Sequence, residues 1–201
     1  KYKISCFEYD EINTISTYDQ VRAYLKIQDG CNNFCSYCLI PYIRGRSRSR
    51  NKENIINEIN NLVKNGFKEV VLTGIDVASY GLDLYKNYTL SDLIETIMIE
   101  CKDLYSLRIS SIEESLVDDK FIYLLKTYQK IANHMHLSLQ SGCDNTLRRM
   151  NRKYKTDAFL EKVSKIKEAR PYMSITTDVI VGFPGETEED FSQTVEFIKE
   201  C

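Results

Sequence analysis

Five short runs rich in β-branched and apolar residues punctuate this chain: "VRAYLKIQ" (21–28), "EVVLTG" (69–74), "LRISS" (107–111), "HMHLSLQ" (134–140) and "SITTDVIVG" (174–182). Between them lie stretches of helical period. Ile55, Ile56, Ile59, Leu62 and Val63 share one face, as do Leu90, Leu93, Ile94, Ile97 and Met98. Further helices are predicted over 118–128, 156–169 and 187–200, with Asn51 and Thr187 as N-caps and Gly66 just past a helix end. A continuous apolar run such as "EVVLTG" is the pattern of a strand covered on both faces of a parallel sheet. Strands alternating with helices imply parallel pairing through crossovers, hence an α/β fold. Both a doubly wound sheet and an incomplete relative of the eight-fold barrel satisfy this. Polar residues and glycines gather just after the strands, at Thr73 and Gly74, Ser110–Glu113, 140–142 and 182–186, where a parallel α/β fold builds its site. The last helical run is still open at "FIKEC", so a domain fragment, or a barrel without its final strand, is expected.

With 43% hydrophobic and 28% charged residues in 201, the chain can bury one sizeable core. Its 27 basic residues against 29 acidic ones leave no global field for nucleic acid, so any such contact must come from a local basic patch. The opening segment has no apolar h-region, and no run approaches the roughly 18 apolar residues of a membrane span. No membrane partner is expected. Seven cysteines is an odd number, and Cys6, Cys101, Cys143 and Cys201 lack framework spacing. A reducing, cytoplasmic compartment follows, in which Cys101 serves as a small core hydrophobe.

The remaining three cysteines fall within eight positions, "CNNFCSYC": Cys31, Cys35 and Cys38. A structural zinc site takes four ligands, and only His134 and His136 offer nitrogen from elsewhere. A thioredoxin-like CxxC explains Cys35 and Cys38 but leaves Cys31 over. Three thiolates on a 4Fe-4S cluster would leave one iron with an open coordination position.

CxxxCxxC with an aromatic residue, Tyr37, before the last cysteine resembles the signature of the radical S-adenosylmethionine (SAM) superfamily. Longer strings, "KIQDGCNNFCSYCLIPYIRGRSRSR", "VVLTGIDVASYG", "LRISSIE", "HLSLQSGCDNTLRRMNRKY" and "TTDVIVGFPGETEEDF", are similar to its methylthiotransferases from Val21 onward. The resemblance implies a partial (β/α) barrel of parallel strands, a 4Fe-4S cluster on Cys31, Cys35 and Cys38, and SAM chelating the open iron. It implies Tyr37 near the adenine, Thr73 and Gly74 at the methionyl group, and Ser111, Glu113 and Gln140 toward the ribose or substrate, with a capping or turn role as the alternative for each of these three. Residues 1–20 then form an interdomain linker, Cys6 included, and 21–201 an incomplete core domain. The family's N-terminal domain with a second cluster, and its C-terminal RNA-binding TRAM domain, are expected outside these residues. Among three branches, "KIQDGCNNFC", "LTGI" and "RISSIE" resemble the one acting on threonylcarbamoyladenosine at tRNA position 37. The isopentenyladenosine and ribosomal-protein aspartate branches are the alternatives, with a non-catalytic Fe-S or zinc RNA-binding protein beyond them. The implied partners are the tRNA anticodon loop and an electron donor such as flavodoxin or ferredoxin, with the protein a monomer.

"RGRSRSR" places Arg44, Arg46, Arg48 and Arg50 directly after the cysteine loop, with Tyr42 just ahead. Arginine on phosphate and an aromatic ring on an unpaired base are how proteins grip RNA loops. Were all four to neutralise phosphates, binding would show a log-log salt slope of about -3. "MNRKYK" (150–155) adds a second basic step: the resemblance puts Arg152 at a position where the family carries basic residues near the active site, and a surface loop between helices is the alternative.

Overall fold

A computed structural model describes Tyr9, Glu11 and residues 21–201; Cys6 and most of the expected linker lie outside the described residues. The chain runs β1 (Arg22–Lys26), β2 (Gln28–Asp29), α1 (Ile40–Ile43), β3 (Arg48–Ser49), α2 (Lys52–Lys64), β4 (Glu69–Thr73), α3 (Leu90–Glu100), β5 (Ser106–Ile109), α4 (Asp119–Thr127), β6 (His134–His136), α5 (Asp144–Arg149), α6 (Thr156–Ala169), β7 (Ser174–Thr176) and α7 (Glu188–Glu200).

β4 pairs in parallel with β1 on one side and β5 on the other, and β6 pairs in parallel with β7. A parallel bridge from Ile112 to Leu137 carries the pairing from the end of β5 to β6, and one from Gln140 to Val179 extends β6 along β7. The parallel strands thus follow chain order with no reversal. A doubly wound sheet reverses at its switch point, so the barrel-type arrangement holds, as a partial barrel.

Alternation along the strands sorts the two faces. Ala23, Leu25, Ile27, Val70, Leu72, Leu107, Ile109, Met135 and Leu137 are buried against the helices, where they meet Ile55 and Ile59 of α2, Leu93, Ile94 and Ile97 of α3, Phe121 and Leu125 of α4, and Phe159, Val163 and Ile166 of α6. The opposite face is polar. Glu69 Oε1 accepts from Nε of both Arg22 and Arg108, each at 2.8 Å, tying three strands together. "EVVLTG" is buried on both faces as its sequence suggests, with Val71 covered on the second face beside this ion triad.

The caps form as the sequence predicts. Asn51 Oδ1 accepts from the backbone of Glu53 and Asn54, and Thr187 closes a capping box with Asp190. Thr89 and Asp92 do the same for α3. Gly66 follows α2 with φ of 96°, the left-handed conformation that glycine accepts without strain. Cys101 is buried at the end of α3, as expected. The helix α5 and the antiparallel ribbon β2–β3 have no counterpart in the sequence reading.

Candidate functional site

The cysteine loop leaves the sheet after β2 and returns through β3, so the ribbon closes its base. Gly30 makes the closure possible: with φ of 71°, any Cβ there would lie 2.0 Å from the Arg46 carbonyl oxygen. The Cys31 amide donates to the Gly45 carbonyl at 3.1 Å. The far side of the loop is stitched to the turn after α5. There the Ser36 amide donates to Met150 O at 3.0 Å, Ser36 Oγ to Arg149 O at 2.8 Å, and Asn151 Nδ2 to Phe34 O at 2.8 Å.

Cys31, Cys35 and Cys38 are all free and half-buried on this loop. Among the described residues no three His, Cys, Asp or Glu side chains stand at metal-holding spacing, the three thiols included. What fits a cluster is the donor chemistry of the loop, three thiols with access to solvent. A four-ligand zinc site fits poorly, because the two histidines are engaged elsewhere. His134 Nε2 and His136 Nδ1 both reach Thr176 Oγ1, at 3.1 and 3.0 Å, and His136 Nε2 lies 3.3 Å from Asp178 Oδ2.

Around the thiols runs a polar ring that the sequence did not announce. Cys31 Sγ lies 3.6 Å from Asp76 Oδ2, and Asn33 Nδ2 bridges Asp76 Oδ2 at 3.3 Å to Glu113 Oε2 at 3.1 Å. Arg152 Nη1 then donates to Glu113 Oε1 at 2.8 Å and to Cys35 Sγ at 3.4 Å. Burial, with the Asp76 carboxylate adding to it, pushes the Cys31 thiol up to about 12, and burial with Glu113 nearby brings Asp76 up to about 6. As a ligand Cys31 must give up its proton, so loading releases it. A cleft of about 250 Å³ opens beside Cys35, lined by Asn33, Glu113, Glu114, Arg152 and Tyr154 among others.

The other expected site residues fall into different positions. Tyr37 stands beside Cys35 with its ring edge-on to Phe183, 6.3 Å between centroids, and burial raises its hydroxyl to about 12. Thr73 ends β4, and its carbonyl accepts from the Ile27 amide at 2.8 Å. Gly74 abuts Gln28, whose side-chain oxygen would be 2.9 Å from a Cβ at that position. Gln28 itself is fully buried and donates to Gly30 O at 2.7 Å and Ser47 Oγ at 2.9 Å while accepting from the Asp76 amide at 2.8 Å. It locks the root of the cysteine loop to the turn after β4. Glu113 belongs to the ring around the thiols, whereas Ser111 is exposed at the turn after β5. Gln140, at φ of 69°, exchanges backbone bonds with Asp178 and Ile180, both at 2.9 Å.

The four arginines do not form one basic patch. Arg50 is 2% exposed, with Nε 2.6 Å from Glu11 Oε2 and Nη1 2.6 Å from Glu58 Oε2, so it is a structural cation and not a phosphate ligand. Arg48 donates to Asp29 at 3.1 Å and to the Arg44 carbonyl at 2.7 Å. Arg44 grips the same carboxylate with two bonds, at 3.1 and 2.8 Å, yet keeps an exposed edge. Arg46 is exposed and lies over the Phe34 ring at 4.7 Å, and Phe34 in turn meets Tyr42 edge-on at 5.6 Å. Of the four arginines named for RNA, Arg50 is therefore buried and Arg48 largely covered by acidic partners, while Arg44 and Arg46 keep exposed edges. Of the two readings of "MNRKYK", the surface loop does not hold, since Arg152 and Tyr154 are inward-facing and Arg152 lies beside Cys35.

The radical SAM superfamily model matches residues 25–198, nearly the whole described chain. The chain belongs to the radical SAM superfamily. Its cofactors are accordingly a 4Fe-4S cluster and SAM; when bound, the cluster supplies the electron that cleaves SAM to a carbon-centred radical. Among curated relatives, the threonylcarbamoyladenosine tRNA methylthiotransferase MtaB of Bacillus subtilis (strain 168) is 46% identical over 96% of this chain and 42% of its own length. The tRNA-2-methylthio-N(6)-dimethylallyladenosine synthase of Clostridium tetani is 45% identical over 89% of this chain and 39% of its own length. The chain thus spans about two fifths of these relatives. In three dimensions the radical SAM core resembles the radical SAM methyltransferase TsrM from Kitasatospora setae, solved with cobalamin and a [4Fe-4S] cluster bound, at a TM-score of 0.70 and 17% identity over 88% of this chain and 34% of that one. This likeness shows the fold. No helix among the described residues is long and apolar enough to cross a membrane.

Proposed function

We propose that this chain is the radical SAM core of a tRNA methylthiotransferase, and that its substrate is threonylcarbamoyladenosine at position 37 beside the anticodon. The observation that carries the reading is the 46% identity to the Bacillus subtilis MtaB over 96% of the chain, together with three cysteines on a loop that the fold braces on both sides. Cys31, Cys35 and Cys38 would hold the cluster. Tyr37, Thr73, Gly74, Ser111, Glu113 and Gln140 remain the proposed contacts of SAM and substrate, with Glu113 the best supported by its place beside the thiols. Arg44 and Arg46 would meet phosphates of the anticodon loop and Tyr42 an unpaired base, since all three are exposed at the edge of the cysteine loop. A second cluster on a preceding domain, a flavodoxin or ferredoxin as electron donor, a monomeric state and a cytoplasmic location complete the proposal.

The test begins anaerobically. The chain is reconstituted with iron and sulfide, reduced and given SAM, beside a Cys35→Ala variant. Release of 5′-deoxyadenosine that the variant loses is expected; a loaded wild-type cluster that leaves SAM intact counts against the reading. The full-length protein carrying this chain is then given tRNA bearing either threonylcarbamoyladenosine or isopentenyladenosine, and nucleosides are analysed by mass spectrometry. A gain of one methylthio group on the first substrate alone is the expected result; a gain on the second assigns the chain to the dimethylallyl branch.

A further inference from the structure

Arg152 is a buried cation whose position does not depend on the thiol it touches. Its side chain is 5% exposed, and three groups besides Cys35 hold it: Glu113 Oε1 at 2.8 Å, the Ser138 carbonyl at 3.3 Å and the Tyr154 ring, whose centroid is 5.0 Å from the guanidinium carbon. Tyr154 is anchored in turn, its hydroxyl donating to Ser138 O at 2.8 Å. The guanidinium therefore stays at hydrogen-bonding range of Cys35 Sγ, 3.4 Å away. The opposite end of the ring has the reverse charge, because Cys31 faces the carboxylate of Asp76. One ligand sulfur is thus offered a fixed cation and another a carboxyl group.

We propose that Arg152 sets the reduction potential of the cluster by donating a charge-assisted hydrogen bond to the Cys35 sulfur. The inference rests on Cys35 being a cluster ligand. Reduction adds one electron from a low-potential donor to a cluster already carrying thiolate charge, and no proton moves. A cation fixed at a ligand sulfur stabilises that extra charge more than it stabilises the oxidised state, so it raises the potential; hydrogen bonds to sulfur and local burial are the protein's levers on such clusters. A guanidinium suits the task because it stays charged at every working pH and its planar fork serves Glu113 and the sulfur from Nη1 while Nη2 holds the Ser138 carbonyl. Arg152 is in this view a positioning and tuning residue, with no contact to the transferred group.

The experiment is a redox titration of the reconstituted chain followed by electron paramagnetic resonance, with Arg152→Gln and Arg152→Lys beside the wild type and iron content measured for each. At the solution potential where the wild-type cluster is half reduced, Arg152→Gln is expected to lower the reduced-to-oxidised ratio about tenfold, equivalent to about 59 mV for one electron. Arg152→Lys, which keeps the charge but not the fork, should lower it by a smaller factor. A purely structural arginine would change iron content or melting temperature and leave the ratio of the loaded fraction alone; that outcome overturns the proposal. A second readout needs no variant: in wild-type protein grown with ¹⁵N-arginine, pulsed resonance on the reduced cluster should resolve a ¹⁵N coupling. Its absence overturns the proposal even where the variants fail to load. A wild-type chain that binds no cluster would sink the ligand assignment of Cys35 and this inference together, whereas a loaded cluster indifferent to Arg152 sinks the inference alone.

Discussion

Gly30 and Gly66 adopt the same left-handed backbone region in opposite surroundings. A Cβ at Gly66 meets nothing within 4 Å, while one at Gly30 would strike the Arg46 carbonyl at 2.0 Å. Gly66→Ala should therefore cost only the torsional penalty, about 1 kcal/mol. Gly30→Ala adds a backbone clash and should cost roughly 3 kcal/mol, with the cysteine loop pushed off the ribbon that closes it. Denaturant midpoints of the two variants, with iron loading of Gly30→Ala, test this; equal losses would show that the ribbon yields and that the carbonyl contact is unimportant. Arg50 invites a similar contrast with Arg46, four residues earlier. Arg50→Ala strips Glu58 of its buried cation and should lower stability by about 3–5 kcal/mol, whereas Arg46→Ala, at an exposed cation-π contact, should change it by less than about 1 kcal/mol. Equal melting temperatures would mean that the Arg50 pairs do not support the fold. In sequence the two arginines look alike, since "RGRSRSR" carries no mark of which side chain turns inward. The cysteines are the opposite case, because their proposed ligand role rests on spacing within one loop. The link from Arg152 to Glu113 spans 39 residues and leaves no local trace.

Helices long enough to show a period and strands set in apolar runs are legible, and the shortest elements around the cysteine loop are not. α2, α3, α6 and α7 run 11 to 14 residues and announce themselves by apolar spacing and caps. The two-residue strands β2 and β3, the four-residue α1 and the six-residue α5 are too short for periodicity to register, yet they are the elements that frame the cysteine loop. The cap of α3 gives a prediction at this scale. Asp92 accepts from the Thr89 amide at 2.7 Å and from Lys120 Nζ of α4 at 2.6 Å. Burial would raise its carboxyl, but the bonds from Lys120 and Thr89 outweigh that and hold it below the ordinary carboxylate value. A carboxyl lowered in the folded state stabilises the fold above its unfolded pKa of 3.8, and the contribution is lost as pH falls through the lower folded value. Asp92→Asn should thus cost about 1 kcal/mol at pH 7, and that deficit should shrink as pH falls from 5 toward 3. Parallel stability curves for the variant and the wild type across that range would remove Asp92 from the acid response.

At the scale of the whole molecule, the uninterrupted chain order of the parallel strands decides between two folds that periodicity left open, because register and bridges are long-range properties. The strand alternation also puts a charged, hydrogen-bonding face opposite the helices, a division invisible in runs that read as uniformly apolar. Global charge bears on partners. The formal net charge is -2, so there is no basic field to draw in RNA, and attraction must come from groups that are both local and exposed. Arg50 is buried against Glu11 and Glu58 and Arg48 is 16% exposed on Asp29, whereas Arg44, which also pairs with Asp29, stays 44% exposed and Arg46 is exposed. Two phosphate contacts with a single-stranded loop give a log-log salt slope of about -1.4, half of what four would give. The measurement is the affinity of the chain for an anticodon-loop oligonucleotide from 50 to 300 mM salt. Arg46→Ala should flatten the slope by about 0.7 and weaken binding to all sequences alike, since a phosphate contact positions RNA without reading it. A slope near -3 would require the buried arginines to leave their carboxylates on binding, and a slope near zero would assign the whole segment to holding the cysteine loop in place.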